Sequence, residues 1–398
     1  MKVIDSIVTR SAGLATLRRQ LHANPELSFE EHSTSDLIAG KLAEWGIEHY
    51  RGLAGTGVVG VLRNGTSPRA IGLRADIDAL PIQELNTFAH ASRHPGKMHA
   101  CGHDGHTAML LAAAQHLAEA RNFDGTVYLV FQPGEEFGGG ARVMIQDGLF
   151  DKFPMSAIYA MHNWPGTPVG KFHISAGPVM ASSNEFTITI RGKGCHAAMP
   201  HLGVDPVPVA CQIVQGFQTI VSRNMRPIDA GVISVTMING GNATNVITDT
   251  CQMRGTVRTF SLEVLDLIER SMRRVAESTC AAFDATCQFE FVRSYPPTIN
   301  HAAESGLVAD VIAGIVGAEN VLKQEPTMGA EDFAYMLQAK PGAYCFIGNG
   351  DGTHRALGHG EGPCMCHNAS YDFNDELIPL GATFWVKLVE TCLAREKP

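Results

Sequence analysis

The sequence predicts a discontinuous α/β domain interrupted by a ferredoxin-like α+β domain. Three observations lead to this prediction. Short apolar runs alternate with helical segments in the first part of the chain, the order changes to β-α-β-β-α-β from about residue 185, and α/β material returns near the end. We therefore assign residues 1–184 and 297–398 to one domain and residues 185–296 to the insertion.

The first part of the chain opens with helices and continues with short strands. LATLRRQLHANPE has helical composition, and the stretch from Ser28 to Glu31 matches a capping box, which predicts a helix running to about Trp45. TAMLLAAAQHLAEA has the length and composition of a helix that covers a sheet. The predicted strands are the apolar runs VVGVLRNG, AIGLRAD, TVYLVFQP and SAIYAMHN.

The insertion contains four predicted strands and two predicted helices. The strands are EFTITIRG, GVISVTMING, CQMRGTVRTF and TCQFEFVRSY, and the helices lie at DPVPVACQIVQGFQTIVSR and SLEVLDLIERSMRRVAESTCAAF. After the insertion, helices are predicted at ESGLVADVIAGIVG, AEDFAYMLQ and NDELIPLGATFWVKLVETCL, with a strand at AYCFIG. The chain therefore returns to the first domain before it ends.

Composition excludes several classes of function. The net charge of -9 comes without basic runs, which argues against a nucleic-acid partner. No signal-like segment or 18-residue apolar stretch is present, so we expect a cytoplasmic protein without a membrane partner. The ten scattered cysteines predict mostly buried thiols. The stretch from Gly55 to Gly60 matches the dinucleotide pattern but leads into a strand instead of a helix, which argues against nucleotide binding.

The segment MHACGHDGH concentrates metal-ligand types directly before a predicted helix. It holds three histidines, a cysteine and an aspartate within nine residues. Thiolate and imidazole suit a borderline-soft divalent ion, so Cys101 and His103 are predicted ligands. His99, Asp104 and His106 are candidates for partners that orient these ligands. The alternative is a polar loop with a buried thiol.

Two adjacent carboxylates, Glu135 and Glu136, follow a strongly apolar strand and precede a glycine-rich turn. Neighbouring side chains of an extended chain point in opposite directions. One carboxylate can therefore bind a metal while the other faces the substrate as a general base, as metal-assisted hydrolysis requires. A solvated pair of glutamates is the alternative interpretation.

Two further histidines lie where ligands tend to occur in α/β folds. His162 ends the apolar run AIYAM, and His367 precedes the last predicted helix. A single histidine is more often structural, so position alone does not assign either of them.

With these segments in order, the chain resembles the M20 metallopeptidases, in particular the aminoacylase-like branch that contains hippurate hydrolases and auxin-conjugate amidohydrolases. The similarity runs nearly end to end. The segments that carry it are RRQLHANPELSFEE, LRADIDALPIQE, MHACGHDGHTAMLL, FQPGEEFGGGARVMI, AMHNWPG, GKGCHAAMPHLGVDP, NGGNATNVI, RGTVRTF, MGAEDFAYM and YDFNDELIPLG.

The resemblance implies a metal-binding α/β domain, with the inserted domain acting as a lid and dimerisation surface. It implies two divalent metal ions per subunit, with Zn, Mn, Co and Ni all compatible with the ligands. Glu135 falls on the catalytic base, and the implied ligands are Cys101, His103, Glu136, His162 and His367. The family often carries His-x-Asp where this chain has Asp76-Ile-Asp78, which leaves the roles of Asp76 and Asp78 open.

The implied reaction is hydrolysis of the amide bond of a small N-acyl or N-aroyl amino acid. Glu135 would take a proton from a metal-activated water and return it to the leaving amine. His196 resembles the family's lid histidine, and Asn245 is a weaker candidate for holding the substrate, in cis or across a homodimer or higher homo-oligomer. The alternatives are a dipeptidase, a deacetylase of N-acetylated intermediates, and a catalytically inert metal-binding relative.

Overall fold

A computed structural model describes residues 1–395 as a mixed α/β protein, which confirms the predicted class. These residues divide into two compact units. The first comprises Met1–Gly177, Asn300–Glu325 and the described residues from Tyr335 onward, and the second comprises Pro178–Ile299 and Pro326–Ala334. None of the described helices is both long and apolar enough to cross a lipid bilayer.

The elements are numbered in chain order. The helices are α1 (Asp5–Val8), α2 (Ser11–Ala23), α3 (His32–Glu44), α4 (His103–Ala120), α5 (Gly140–Gln146), α6 (Leu149–Lys152), α7 (Pro206–Thr219), α8 (Leu262–Ala282), α9 (Ala302–Val316), α10 (Ala334–Ala339) and α11 (Leu377–Cys392). The strands are β1 (Glu48–Leu53), β2 (Gly57–Asn64), β3 (Ala70–Asp76), β4 (Gly125–Gln132), β5 (Ala157–Trp164), β6 (Phe172–Ile174), β7 (Gly177–Met180), β8 (Ser183–Arg191), β9 (Cys195–His196), β10 (Gly231–Gly240), β11 (Val246–Ile247), β12 (Thr250–Thr259), β13 (Thr286–Tyr295), β14 (Thr298–Asn300), β15 (Val321–Lys323) and β16 (Gly342–Gly348).

The first unit is organised around an eight-stranded sheet with the order β1-β2-β4-β3-β5-β16-β6-β15. Strand β3 is parallel to both β4 and β5, and β5 is parallel to β16. Every residue of β3 is buried, as expected for a parallel strand covered on both faces. Because the four central strands run in one direction, their carboxyl ends meet at one edge of the sheet. The loops that follow them therefore come together there.

The second unit has its own sheet and its own apolar core. Its four-stranded sheet has the order β10-β12-β8-β13 with antiparallel neighbours, and the elements follow one another as β8-α7-β10-β12-α8-β13. Ile213 and Phe217 of α7 and Ile268 of α8 are fully buried in a cluster with Phe186 of the sheet. This separate core gives the unit an internal source of stability.

The predicted capping box at Ser28 is wrong. The Ser28 hydroxyl donates to Asp78 Oδ2 at 2.7 Å instead of capping a helix. Helix α3 begins one residue after Glu31, without a side-chain cap from that residue. The amide nitrogen and the hydroxyl of Thr34 donate to Glu26 at 2.8 and 2.9 Å. Tertiary partners thus replace the local pairing that the sequence pattern suggests.

Arg18 of α2 is the centre of a buried ionic network in the first unit. Its side chain is 1% exposed and donates to Asp104 at 3.3 Å, to Asp372 at 3.0 Å and to Asp375 at 2.7 Å. Burial disfavours its charge, but the three carboxylates outweigh this effect and raise the pKa of Arg18 above its ordinary value. The network joins α2 to the first turn of α4 and to the segment before α11.

The substitution Arg18→Met should lower the free energy of unfolding by about 3–5 kcal/mol, because it leaves buried carboxylates without a counter-charge. Arg19 offers a matched control. It binds the other oxygen of Asp375 at 2.8 Å but is 51% exposed, so Arg19→Met should cost at most about 1 kcal/mol. Urea denaturation of both variants beside the unmodified protein gives the comparison. Equal losses would show that the network does not depend on Arg18.

Candidate metal centre

All five predicted ligands lie at the carboxyl edge of the large sheet. Cys101 and His103 are at the start of α4, and Glu136 follows β4. His162 lies near the end of β5, and His367 lies in the loop between β16 and α11. Segments far apart in the sequence are therefore brought to one place by the parallel strands.

The ligand atoms form two groups that share Cys101. In the first, the ligand atoms of Cys101, His103 and His162 lie within 4.8 Å of one another, and Cys101 Sγ is 3.3 Å from His162 Nε2. In the second, those of Cys101, Glu136 and His367 lie within 4.8 Å, and Glu136 Oε1 is 3.2 Å from His367 Nε2. One sulfur atom thus belongs to both groups.

Two of the histidines are oriented by hydrogen bonds at Nδ1. His162 Nδ1 lies 2.6 Å from the carbonyl oxygen of Asn163. His103 Nδ1 lies 2.9 Å from the carbonyl oxygen of Asp78 and 3.2 Å from its Oδ1. Since Nδ1 is engaged in both rings, Nε2 is left as the nitrogen that faces the cluster.

Asp78 contacts one residue of each donor group, His103 in the first and Glu136 in the second. Besides contacting His103, its Oδ2 accepts the amide hydrogen of Glu136 at 3.0 Å. Burial opposes ionisation, but the bond to His103 and the other hydrogen bonds lower the pKa of Asp78 below its ordinary value. These contacts give Asp78 an orienting position, which the sequence left open.

The substitution Asp78→Asn should weaken metal binding by about 10–100-fold, because it removes the negative charge that orients His103. Titration of the purified protein with Zn²⁺ against a chromophoric chelator measures this change. Ser28→Ala is the control, since it removes one hydrogen bond to the same carboxylate and keeps its charge. That variant should change affinity by less than about tenfold. Unchanged affinity in Asp78→Asn would contradict the orienting role.

The expectation that Glu135 and Glu136 point in opposite directions is wrong. Oxygen atoms of both carboxylates lie within 4.8 Å of each other and of a ring nitrogen of His103. Strand β4 ends at Gln132, and the two glutamates lie in a turn, where the two-residue alternation of a strand does not apply. Glu135 is 7% exposed, so a second carboxylate is available at the same cluster.

The turn that carries both glutamates is held by a residue that sequence reasoning missed. The amide nitrogen of Gly134 donates to Glu31 Oε1 at 2.9 Å, and the hydroxyl of Thr56 donates to Glu31 Oε2 at 2.6 Å. Glu31 is fully buried, and burial raises its pKa to about 7. Its place in the motif LSFEE gives no local sign of this contact.

A glycine is required beside Cys101. Gly102 has a φ of 95°, and a Cβ atom there would lie 2.3 Å from Asn163 Nδ2 and 2.5 Å from the Tyr371 hydroxyl. Asn163 Nδ2 donates to the Cys101 carbonyl at 2.6 Å, and the Tyr371 hydroxyl donates to Asn163 Oδ1 at 2.8 Å. These bonds fix the loop in the position that presents the thiol.

His367 is held in an unusual backbone conformation. Its φ is 64°, in the left-handed region that a residue with a side chain seldom adopts. The His367 amide nitrogen donates to the Ala100 carbonyl at 2.7 Å, which ties this loop to the segment before α4. The geometry places the His367 ring against Glu136.

The electrostatics of the centre favour a positive charge. Burial lowers the pKa of His103, but Asp76, Asp78 and Glu136 outweigh it and raise that pKa to about 10. His162 has fewer compensating neighbours, and burial holds its pKa well below the ordinary value. The carboxylates therefore stabilise a cation close to His103, while His162 stays neutral as a ligand must.

The residues present fit a divalent metal ion. His103 Nε2 is buried and has no hydrogen-bond partner within residues 1–395, and it lies 3.9 Å from Glu136 Oε1. Buried polar atoms normally find a partner, so His103 Nε2 is free to bind a metal ion. Thiolate, imidazole and carboxylate together suit borderline divalent ions.

Of the three residues proposed to orient the ligands, His106 reaches one of them indirectly, through Asn163, whose carbonyl oxygen lies 2.6 Å from His162 Nδ1. His106 Nδ1 lies 2.6 Å from Asp76 Oδ1, and its Nε2 accepts the amide hydrogen of Asn163 at 3.0 Å. Asp104 belongs instead to the buried ionic network described above. Neither ring nitrogen of His99 has a hydrogen-bond partner in the described chain, and burial lowers its pKa to about 4.

His196 and Asn245 lie beside each other in the second unit. Strand β9 pairs with β11, with His196 opposite Val246, and the Ala197 amide nitrogen donates to the Asn245 carbonyl at 3.0 Å. Both side chains are exposed. The two residues that the resemblance singles out in the insertion are therefore close neighbours.

An α/β unit with thiolate, imidazole and carboxylate donors at the carboxyl edge of its sheet belongs to the class of metal-dependent enzymes. The sequence profile of Peptidase family M20/M25/M40 matches residues 72–391, and the chain belongs to this family.

Similar proteins cover nearly the whole chain. Hippurate hydrolase of Campylobacter jejuni is 38% identical over 389 residues, which is 98% of each chain. N-acetyl-L-cysteine deacetylase of Bacillus subtilis is 42% identical and covers 88% of this chain and 83% of its own. In structure, a dinuclear metal-binding M20 peptidase of Bacillus subtilis has a TM-score of 0.82 at 33% identity, with 97% and 99% coverage.

Proposed function

We propose that this protein hydrolyses the amide bond of N-acyl or N-aroyl amino acids and releases a carboxylic acid and a free amino acid. The observation that carries the proposal is the pair of donor groups that share Cys101, with the additional carboxylate of Glu135 beside them. The substrate class is supported by the relatives named hippurate hydrolase and N-acetyl-L-cysteine deacetylase, whose names describe acylated amino acids.

Two divalent ions per subunit are assigned to the two groups. Cys101, His103 and His162 would hold one ion, and Cys101, Glu136 and His367 would hold the other. When bound, the ions lower the pKa of a water molecule and stabilise negative charge on the carbonyl oxygen. Zn, Mn, Co and Ni are all compatible with this donor set.

Glu135 is assigned as the general base and then the general acid. It accepts a proton from the attacking water and gives it to the departing amine nitrogen. The assignment is supported by the burial of its carboxylate and by its place within 4.8 Å of ligand atoms of His103 and Glu136. A carboxylate so close to the ligands can reach a water bound there.

Residues 185–296, which lie within the second unit, are assigned as the lid and dimerisation domain. We assign the His196 imidazole to the substrate carbonyl and Asn245 to the carbonyl or the substrate carboxylate. Their exposure and close spacing support a joint role. The protein then acts as a homodimer or higher homo-oligomer in the cytoplasm.

The substitution His196→Ala should lower kcat by about 10²–10³-fold, because it removes a donor to the developing oxyanion. Metal content should stay unchanged, since His196 is not among the proposed ligands. His201→Ala is a matched control, because His201 is also an exposed histidine of the same unit. Steady-state kinetics together with elemental analysis test the prediction. Unchanged turnover in His196→Ala would remove this residue from the mechanism.

A substrate panel tests the proposed reaction. Hippurate, several N-acetyl amino acids and several dipeptides are each assayed with Zn²⁺, Mn²⁺, Co²⁺ and Ni²⁺, with a chelator as control. Turnover of acylated amino acids supports the proposal, and the preferred acyl group separates aroyl hydrolysis from deacetylation. Turnover of dipeptides alone would assign a dipeptidase instead. Metal uptake without turnover of any compound would assign an inert metal-binding relative.

A further inference from the structure

A second thiol lies beside Cys101, and the proposed reaction does not use it. Cys366 Sγ donates to the carbonyl oxygen of Cys101 at 3.9 Å. The bond from the His367 amide nitrogen to the Ala100 carbonyl, 2.7 Å long, aligns the two backbones. This backbone pairing holds the two cysteines next to each other.

Cys364, two residues before Cys366, has a different environment. Cys364 is 5% exposed, and its Sγ donates to the carbonyl oxygen of Asp372 at 3.3 Å. Cys366 is partly exposed, whereas Cys101 is 8% exposed. Of the two cysteines in the segment before His367, only Cys366 combines access to solvent with contact to Cys101.

We propose that Cys101 and Cys366 are a modification site, at which exchange with a small-molecule disulfide forms an intramolecular disulfide that excludes metal from the centre. The inference rests on the proposed role of Cys101 as a metal ligand. Because Cys101 belongs to both donor groups, its loss as a thiolate removes a donor from each. One covalent bond thus acts on both ion positions.

The exchange proceeds in two steps. The Cys366 thiolate, being the more accessible, attacks one sulfur of the small disulfide, forms a mixed disulfide and releases one small thiol. The Cys101 thiolate then attacks Cys366 Sγ, which forms the Cys101–Cys366 bond and releases the second small thiol. The two protein thiols are oxidised, the reagent is reduced to two thiols, and the two protein protons pass to those thiols.

Bound metal should protect the pair. A thiolate that coordinates a metal ion is a poorer nucleophile towards sulfur than a free thiolate, and its position is fixed by the ion. The disulfide should therefore form readily in the metal-free protein and slowly in the metal-loaded protein. Reduction should restore the capacity to bind metal.

The test uses the full-length protein, dialysed against EDTA and incubated with oxidised glutathione. After alkylation of free thiols, peptide mapping without reduction should reveal a link between the peptides of Cys101 and Cys366, with a mass loss of about 2 Da. Zn²⁺ affinity, measured by chelator competition, should fall by about tenfold or more and recover with dithiothreitol. Protein loaded with Zn²⁺ before oxidation should form the link much more slowly.

Two variants and one internal reporter make the outcome decisive. Cys366→Ser should form no link, whereas Cys364→Ser should form it as the unmodified protein does. Cys211 is exposed, so a glutathione adduct there shows that the oxidant was active. Absence of the Cys101–Cys366 link in protein modified at Cys211 would overturn the proposal, and so would equal linking with and without Zn²⁺ in protein shown to bind the ion.

Failure of the proposed function gives a different result. If the disulfide forms but the reduced protein takes up no Zn²⁺, Cys101 and Cys366 remain a disulfide-forming pair, and the proposed metal centre is rejected. If the linked protein binds Zn²⁺ as tightly as the reduced protein, metal exclusion is wrong. Neither result depends on an activity assay.

Discussion

The substitution Glu135→Gln is expected to lower kcat by about 10²–10⁴-fold, the usual contribution of a general base. Glutamine keeps the size of the side chain but cannot accept the proton. Both metal ions should remain, because the proposed ligands are unchanged. Turnover of an acylated amino acid, with elemental analysis of the same sample, measures both quantities.

A matched change at an exposed carboxylate controls for general effects. Glu30→Gln removes one charge from a pair with Lys97 at the surface, where the two groups are 3.1 Å apart. This variant should keep the unmodified kcat within experimental error, since surface pairs contribute little. Substantial residual turnover in Glu135→Gln, or an equal loss in both variants, would reject Glu135 as the base.

The substitution Cys101→Ala should remove both metal ions and with them all metal-dependent turnover. The reason is that Cys101 Sγ belongs to both donor groups, so each group is left with two donors. The loss of affinity should exceed the roughly 10–100-fold effect of changing an outer partner. Metal stoichiometry after dialysis, followed by Zn²⁺ titration, gives the measurement.

Cys364→Ala serves as the control for loss of a buried thiol. Its sulfur contacts the Asp372 carbonyl and belongs to neither donor group. Metal stoichiometry should therefore be unchanged in this variant, even if some stability is lost with the side chain. Retention of one tightly bound ion in Cys101→Ala would mean that the two ion sites do not share the sulfur of Cys101.

Continuous apolar runs made the central strands predictable. The segment AIGLRAD corresponds to β3, whose seven residues are all buried, and the run at β5 is equally apolar. Strand β1 was not predicted, because most of EHYRGL is polar and five of its six residues are at least partly exposed. Edge strands such as β1 are defined by pairing with a neighbour, which local composition does not contain.

The predicted metal ligands could be recognised from the sequence, but the residues that hold those ligands in place could not. MHACGHDGH places two donors in one loop, so chemistry alone singled it out. Glu31 and Asp78 act through contacts that join residues 103 and 58 positions apart. A short pattern cannot encode such contacts, which explains why Ser28 and Glu31 were assigned to a capping box instead.

The left-handed backbone of His367 implies a trade-off between stability and function. A φ of 64° costs a residue with a side chain on the order of 1 kcal/mol or more, while glycine adopts it freely. Selection for stability alone would favour glycine at this position. In the proposed role of His367 as a ligand, the fold gives up part of its stability for the imidazole, and stabilising substitutions sought by sequence averaging or design should leave this position out.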